Sequence, residues 1–301
     1  MPSKEFQQFL KELRAKPCDN PKRIGYQTLR RIQDERIPDG IQVEKGVAQE
    51  TDELCGVAAE WLRPEGAPSK KVLFYIHGGG WSLGSIKGSR QFLAPMAKVI
   101  GLNTVHIDYR LMPEHPFPAG LNDCMSAFEG LLRKGILAQD IVLAGESAGA
   151  NLALSMVLKR KDEKKPLPKA LVLLSPVTYA DTLDGSHSAL TSLEPILAED
   201  SFVLTEVVKL YAPGESPKNP YISPLYGDLK GLPPMLLMVG TDEILFDDTI
   251  RLYQKARLCG VPANLIVGDH MTHSWPIFIG TFPEAKKAVE EIGEYIHRVL
   301  N

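Results

Sequence analysis

From about residue 70 onward the chain alternates short, β-branched apolar runs with stretches of helical period, and this alternation limits the fold more than any other feature. Lys71 to Ile76, Thr104 to Asp108, Ile141 to Ala144, Ala170 to Leu174, Met235 to Val239 and Asn264 to Val267 read as strands. Each is apolar along its length instead of alternating, which requires both faces to be covered. The intervening stretches supply the cover. Leu121, Met125, Phe128, Leu131 and Leu132 form one stripe, and Ala150 to Leu158, Thr249 to Leu258 and Glu284 to Leu300 form others. The pattern predicts an α/β fold with a mostly parallel central sheet flanked by helices. Ile41 to Ala48 and Cys55 to Leu62 read as an antiparallel pair feeding that sheet.

Two segments break the rhythm. Residues 4 to 37 have helical spacing (Phe6, Leu10, Leu13, then Leu29 and Ile32) ahead of any parallel strand, and residues 180 to 212 separate two strands, with a helix-like run from Ser201 to Tyr211. The expectation is that they pack together as a lid. The mixed-charge run Lys159 to Lys165 reads as a solvated loop after a helix.

Charge narrows the partner. With 34 basic and 37 acidic residues among 301, the net charge of -3 argues against a nucleic-acid binder that neutralises phosphates and against a polybasic membrane-surface protein. No apolar run approaches the roughly twenty residues of a spanning helix. The polar start, Met1 to Phe6, has no secretory apolar core, and Cys18, Cys55, Cys124 and Cys259 lack metal-site spacing. These features predict reduced thiols in a cytoplasmic chain, no membrane span, and a small, roughly neutral ligand.

Gly145-Glu146-Ser147-Ala148-Gly149 follows one apolar run and precedes a helical pattern, the strand-turn-helix setting of a nucleophile elbow. In such a turn the backbone at Ser147 is strained and its neighbours must be small. His77-Gly78-Gly79-Gly80-Trp81 follows another run, and its glycines free backbone N–H groups to face a substrate oxygen. Gly78, Gly79 and the amide of Ala148 are the expected oxyanion donors. A phosphate loop is disfavoured, because the glycines fit neither of the common phosphate-binding strings.

A serine hydroxyl needs a base, and the base needs an orienting acid. Strand ends supply candidates: Asp242 in Gly240 to Asp247, then His270 and His273 in Gly268 to Trp275. Ser147, Asp242 and His273 stand in the chain order of α/β-hydrolases. Asp247 and Asp248 compete for the acid role, although their position suits the start of the next helix. His270 competes with His273, and no cluster around the pair suggests a metal. His77 reads as shaping its loop.

Taken together, these motifs resemble the hormone-sensitive lipase family of α/β-hydrolases, in which H-G-G-G precedes the elbow. The run Asp108 to Ala119 is similar to a structural string of that family, so the resemblance covers about residues 70 to 280. It implies Ser147, Asp242 and His273 as the triad, because the family acid opens D-x-L-x-D and its histidine follows Met-x; here the local string, Asp242 to Asp247, is one residue longer. It also implies a cap from residues 1 to 40 and 180 to 212, with 41 to 179 and 213 to 301 as the catalytic domain. The expected activity is hydrolysis of short- to medium-chain, relatively apolar carboxylic esters through an acyl-enzyme on Ser147, without a cofactor; a homodimer stays open as the assembly. Amide or lactone hydrolysis on the same triad is an alternative, as is a non-catalytic small-molecule receptor on the same fold, against which the intact histidine counts.

Overall fold

The computed structural model describes residues 1–15, 24–38, 44–179, 181, 185–197 and 204–301. Among these residues eight strands form one sheet: β1 (Val47–Leu54), β2 (Val57–Pro64), β3 (Val72–Ile76), β4 (Asn103–Ile107), β5 (Ile141–Glu146), β6 (Ala170–Leu174), β7 (Met235–Gly240) and β8 (Ala263–Gly268). Their order is β1-β2-β4-β3-β5-β6-β7-β8. The pairs β1/β2 and β2/β4 are antiparallel, and all the others are parallel. The expected hairpin forms, but later in the chain than the sequence suggests. Cys55 and Gly56, both at positive φ, make a two-residue turn, so Val57 opens the second strand. Residues 41 to 43 lie outside the described residues.

The helices are α1 (Lys4–Ala15), α2 (Tyr26–Glu35), α3 (Ile86–Ile100), α4 (Ala119–Arg133), α5 (Ala148–Asp162), α6 (Ser186–Ala189), α7 (Leu204–Tyr211), α8 (Phe246–Leu258) and α9 (Pro283–Leu300). The continuous apolar character of β3 is explained by its two faces. Val72, Phe74 and Ile76 pack in one cluster with Leu121 and Phe128 of α4, Leu152 of α5 and Leu252 of α8. Leu73 and Tyr75 pack in the other with Leu93 of α3 and Val289 and Ile292 of α9. Helix α3 was not among the expected elements, because Gly88 and Pro95 interrupt its pattern of helix formers.

Two features depart from expectation. Helix α5 runs on through Lys159 to Asp162, and Arg160 within the supposed solvated run is fully buried. Its guanidinium lies 4.2 Å over the Phe128 ring, pairs with Glu129 at 2.7 Å and donates to the Pro166 carbonyl at 2.8 Å, so buried charge is matched by partners. Phe6 does not cover the site. It packs edge-on against Phe282 at 4.9 Å, while Phe9 meets Phe278 at 4.7 Å, so α1 braces the segment that leads into α9. The helical run expected from Ser201 to Tyr211 is present as α7 from Leu204 onward, and residues 201 to 203 lie outside the described residues.

Candidate active site

Parallel strands finish at one edge of the sheet, and the loops leaving that edge bring the chemistry together. His77 follows β3, Ser147 follows β5, Ser175 follows β6, Asp242 and Glu243 follow β7, and His273 follows β8. The register sets Ile76 beside Gly145, so the glycine loop and the elbow leave the sheet side by side.

Ser147 has φ 55° and ψ -122°, a strained conformation for a residue with a side chain. The turn closes only because its neighbours are small: a Cβ on Gly149 would sit 2.1 Å from the Ile76 carbonyl oxygen. Ser147 N–H donates to the Leu174 carbonyl at 2.9 Å, and Asn151, one turn into α5, donates to the Val177 and Ile222 carbonyls. The elbow is therefore tied to the loops on its far side.

The glycine loop differs from expectation at one position. Gly78 N–H donates to Glu146 Oε1 at 2.6 Å and so is not free to face a substrate. The cause is the elbow's second residue, whose carboxyl folds back beneath the loop. Burial pushes that carboxyl up to about 7, against its hydrogen bond with Gly78. Gly79, at φ 98°, turns the chain so that Gly79 and Gly80 line the cavity that also contains Ser147 and His273. Tyr109 supports the loop from below, its hydroxyl donating to the His77 carbonyl at 2.9 Å and its ring stacking on His77 at 4.4 Å. Burial lowers His77 to about 4, so the imidazole is neutral and structural.

The acid also differs from expectation, by one residue. Asp242, with Oδ2 3.3 Å from His270 Nδ1, lies in the exposed pair Asp242–His270 and does not approach His273. Glu243 does: its Oε2 is 2.8 Å from His273 Nδ1, and its side chain is fully buried. Its other oxygen accepts from Gly240 N–H at 2.6 Å and from Ser175 Oγ at 2.8 Å. The turn explains the exchange. Asp242 N–H donates to the Met271 carbonyl at 3.1 Å, which leaves its side chain on the outer side of the turn and sends the next side chain inward. Asp248, a competitor on sequence grounds, accepts from Thr178 N–H at 2.6 Å and meets His187 Nε2, while Asp247 accepts from Ser186 N–H at 2.9 Å. Both anchor the 185–197 segment to α8. Glu243 and Ser175 are the site residues that the motif reading missed. Counting back from Leu245 and Asp247 would have found the first, since Glu243 then takes the leading place of the D-x-L-x-D spacing.

Burial works against the charged form of His273, but the hydrogen bond and charge of Glu243, joined by the charges of Glu194 and Glu146, outweigh it and raise the imidazole above its ordinary value. Its Nε2 stands 3.4 Å from Ser274 Oγ. In front of it lies a cavity of about 410 Å³. Tyr26, Leu29 and Gln33 of α2 line it from one direction, and Ile196, Leu197 and Val207 from the other, so both irregular segments reach the same space. No group of histidine, cysteine or acidic side chains among the described residues is arranged to hold a metal.

Comparison with known proteins bears on the fold and the activity. A family model described as alpha/beta hydrolase fold matches residues 73–277. An esterase of Acinetobacter venetianus is 35% identical over 250 residues, covering 80% of this chain and 79% of that protein. An acetyl-hydrolase of Streptomyces hygroscopicus is 35% identical and covers 79% of each chain. Among solved structures, an esterase of the bacterial hormone-sensitive lipase family superposes with a TM-score of 0.90 at 33% identity over 100% of both chains. The esterase EstE5, soaked with p-nitrophenyl butyrate, gives 0.91 at 31% identity over 99% of both. With the strand order, the elbow and these matches in agreement, the chain belongs to the α/β-hydrolase fold family, in its hormone-sensitive lipase branch of carboxylesterases.

Proposed function

We propose that the chain hydrolyses short- to medium-chain carboxylic esters through an acyl-enzyme on Ser147, with His273 as base and Glu243, in place of Asp242, as the orienting acid. The observation that carries this reading is the buried 2.8 Å contact between Glu243 and His273, opening onto a cavity shared with a serine on a strained turn. With Nδ1–H donated to Glu243, Nε2 keeps its lone pair for the Ser147 proton. Nε2 stands 3.4 Å from Ser274 Oγ, and in this reading its lone pair turns to Ser147 as a substrate is seated, since catalytic hydrogen bonds commonly tighten only then.

Ser147 Oγ then attacks the ester carbonyl carbon as its proton passes to His273. Negative charge forms on the carbonyl oxygen, where the N–H groups of Gly79, Gly80 and Ala148 receive it; Gly78 shapes the loop through Glu146. Each such donor is worth roughly 10²- to 10³-fold in rate. Collapse of the intermediate breaks the ester C–O bond, and His273 returns its proton to the departing alkoxide. Water, deprotonated by His273, attacks the acyl carbon and releases the acid and free Ser147. The cavity supports a modest acyl group, since its volume lies toward the lower end of small-molecule sites and Leu29, Leu197 and Val207 offer it apolar surface.

Residues of α2 and of the 185–197 and 204–211 segments form the cap in this reading, supported by their shared lining of one cavity. A cytoplasmic location is supported by the free thiols of Cys55, Cys124 and Cys259; Cys18 lies outside the described residues. No helix among the described residues is long and apolar enough to cross a membrane. A homodimer is supported by the open edge of β8, where Val267 is exposed. The deciding assay is a series of p-nitrophenyl esters from acetate to laurate, with an arylamide and a lactone alongside. The reading expects the highest kcat/KM at short to medium acyl length; preference for the amide or the lactone would refute it.

A further inference from the structure

Three carboxyl groups act on the His273 imidazole, and the scheme above employs two of them. Glu243 orients the ring, and Glu146 holds the glycine loop. The third, Glu194, comes from the segment between β6 and α7. It is 1% exposed. Its N–H closes the turn after α6 by donating to the Leu190 carbonyl at 3.1 Å, its Oε1 accepts from Ile196 N–H at 2.8 Å, and its Oε2 has no hydrogen-bond partner among the described residues.

Among the described residues no lysine or arginine forms an ion pair with this carboxyl. The titratable groups that face it are His273 and Glu243, and the His273 backbone N–H is also directed at it. Arg14 of α1, which reaches the neighbouring residue, ends on the Leu193 carbonyl at 3.5 Å. Burying a carboxyl in this way costs stability, and burial pushes it up to about 7. A turn needing only an acceptor for Ile196 N–H would be served by an amide at no charge cost. The carboxyl is also placed by the stretch that walls the substrate cavity, since Ile196 and Leu197 follow it directly.

We propose that Glu194 is a positioning residue for His273, a buried carboxyl carried to the His273 backbone by the cap segment, whose unpartnered oxygen takes negative charge and steadies the imidazolium formed as Ser147 gives up its proton. The inference rests on the reading of His273 as general base. It couples the seating of the cap wall to the basicity of the histidine, so that displacing residues 194 to 197 both opens the cavity and withdraws a charge. The groups facing His273 are Glu243 from the β7 loop, Glu146 from the elbow and Glu194 from the cap segment.

The test is kcat/KM for p-nitrophenyl butyrate against pH in the full chain, Glu194→Gln and Glu194→Asp. Glutamine keeps an acceptor for Ile196 N–H and removes only the charge. The expected result is an acid limb shifted to lower pH by roughly 0.5 to 1 unit in Glu194→Gln, with KM little changed, while Glu194→Asp stays near the parent midpoint. An unmoved limb in Glu194→Gln, or an equal shift in both variants, overturns the proposal. If Glu194→Gln does not fold, Glu194→Ala is read in the same way. Ser147→Ala and His273→Asn are assayed in parallel: activity surviving in either overturns the site reading and this inference together, whereas two inactive variants beside an unmoved Glu194→Gln limb overturn this inference alone.

Discussion

Replacing Glu243 by glutamine isolates the orienting role, because the structure dictates how the amide must sit. One oxygen of Glu243 accepts from both Gly240 N–H and Ser175 Oγ, so the amide oxygen has to stay there. The NH₂ group then faces His273 Nδ1, which must become the acceptor, and the ring proton moves to Nε2. In that tautomer the imidazole cannot take the proton of Ser147. Loss of the correct tautomer, together with the charge that steadies the imidazolium, lowers kcat by about 10³- to 10⁴-fold, or about 4 to 5.5 kcal/mol of barrier. Asp242→Asn removes a contact to a histidine whose side chain is 59% exposed, worth at most about 1 kcal/mol. Activity should change less than about fivefold. The assay is kcat for p-nitrophenyl butyrate in both variants, with thermal unfolding to show that each is folded. An Asp242→Asn variant more damaged than Glu243→Gln, or a folded Glu243→Gln within tenfold of the parent, refutes the assignment.

The remaining expectations concern the serine, the pH dependence and the pocket. Ser147→Ala should retain the fold and lose several orders of magnitude in kcat, and an organophosphate should label Ser147 alone; an adduct on Ser175, whose hydroxyl is engaged by Glu243, would contradict the reading. The acid limb of kcat/KM should have its midpoint above the usual imidazole value of about 6.5, because Glu243 overcomes burial in holding the proton on His273, and a midpoint well below 6.5 would count against that balance. Glu146 is a buried acid raised to about 7, so its cost is absent below its unfolded value near 4.5 and grows as pH rises through 7, to about 3 kcal/mol. Glu146→Gln should therefore flatten the loss of stability between pH 5 and 8 in denaturant melts, and an unchanged loss would show that Glu146 is not its source. Leu29→Ala removes a buried side chain from the cavity wall and should raise the relative kcat/KM of longer esters by about fourfold per accommodated methylene, read from the ester series; an unchanged profile would remove α2 from acyl selection.

Much of the framework was legible because it depends on local chemistry. Apolar runs covered on both faces declare a parallel sheet by composition, and the crossovers then bring their C-terminal ends to one edge, so Ser147 and the candidates His270 and His273 could be named from strand ends, the resemblance choosing His273. Gly149 is equally local: no side chain fits beside the Ile76 carbonyl. Side-chain direction in loops is not local. Asp242 and Glu243 are adjacent acids, and the choice between them rests on the hydrogen bond from Asp242 N–H to Met271, a residue on another strand's loop. Gly78 looked as able to donate as Gly79 until the elbow's glutamate, far along the chain, took its N–H. The charge of Arg160 suggested water, yet its side chain is buried by neighbours that no periodicity reveals. The sequence by itself determined which elements form and which edge gathers the reactive groups, since these follow from hydrophobic pattern and backbone sterics. Only the tertiary structure decided which of two neighbouring groups faces inward, because that depends on hydrogen bonds between segments distant in the chain.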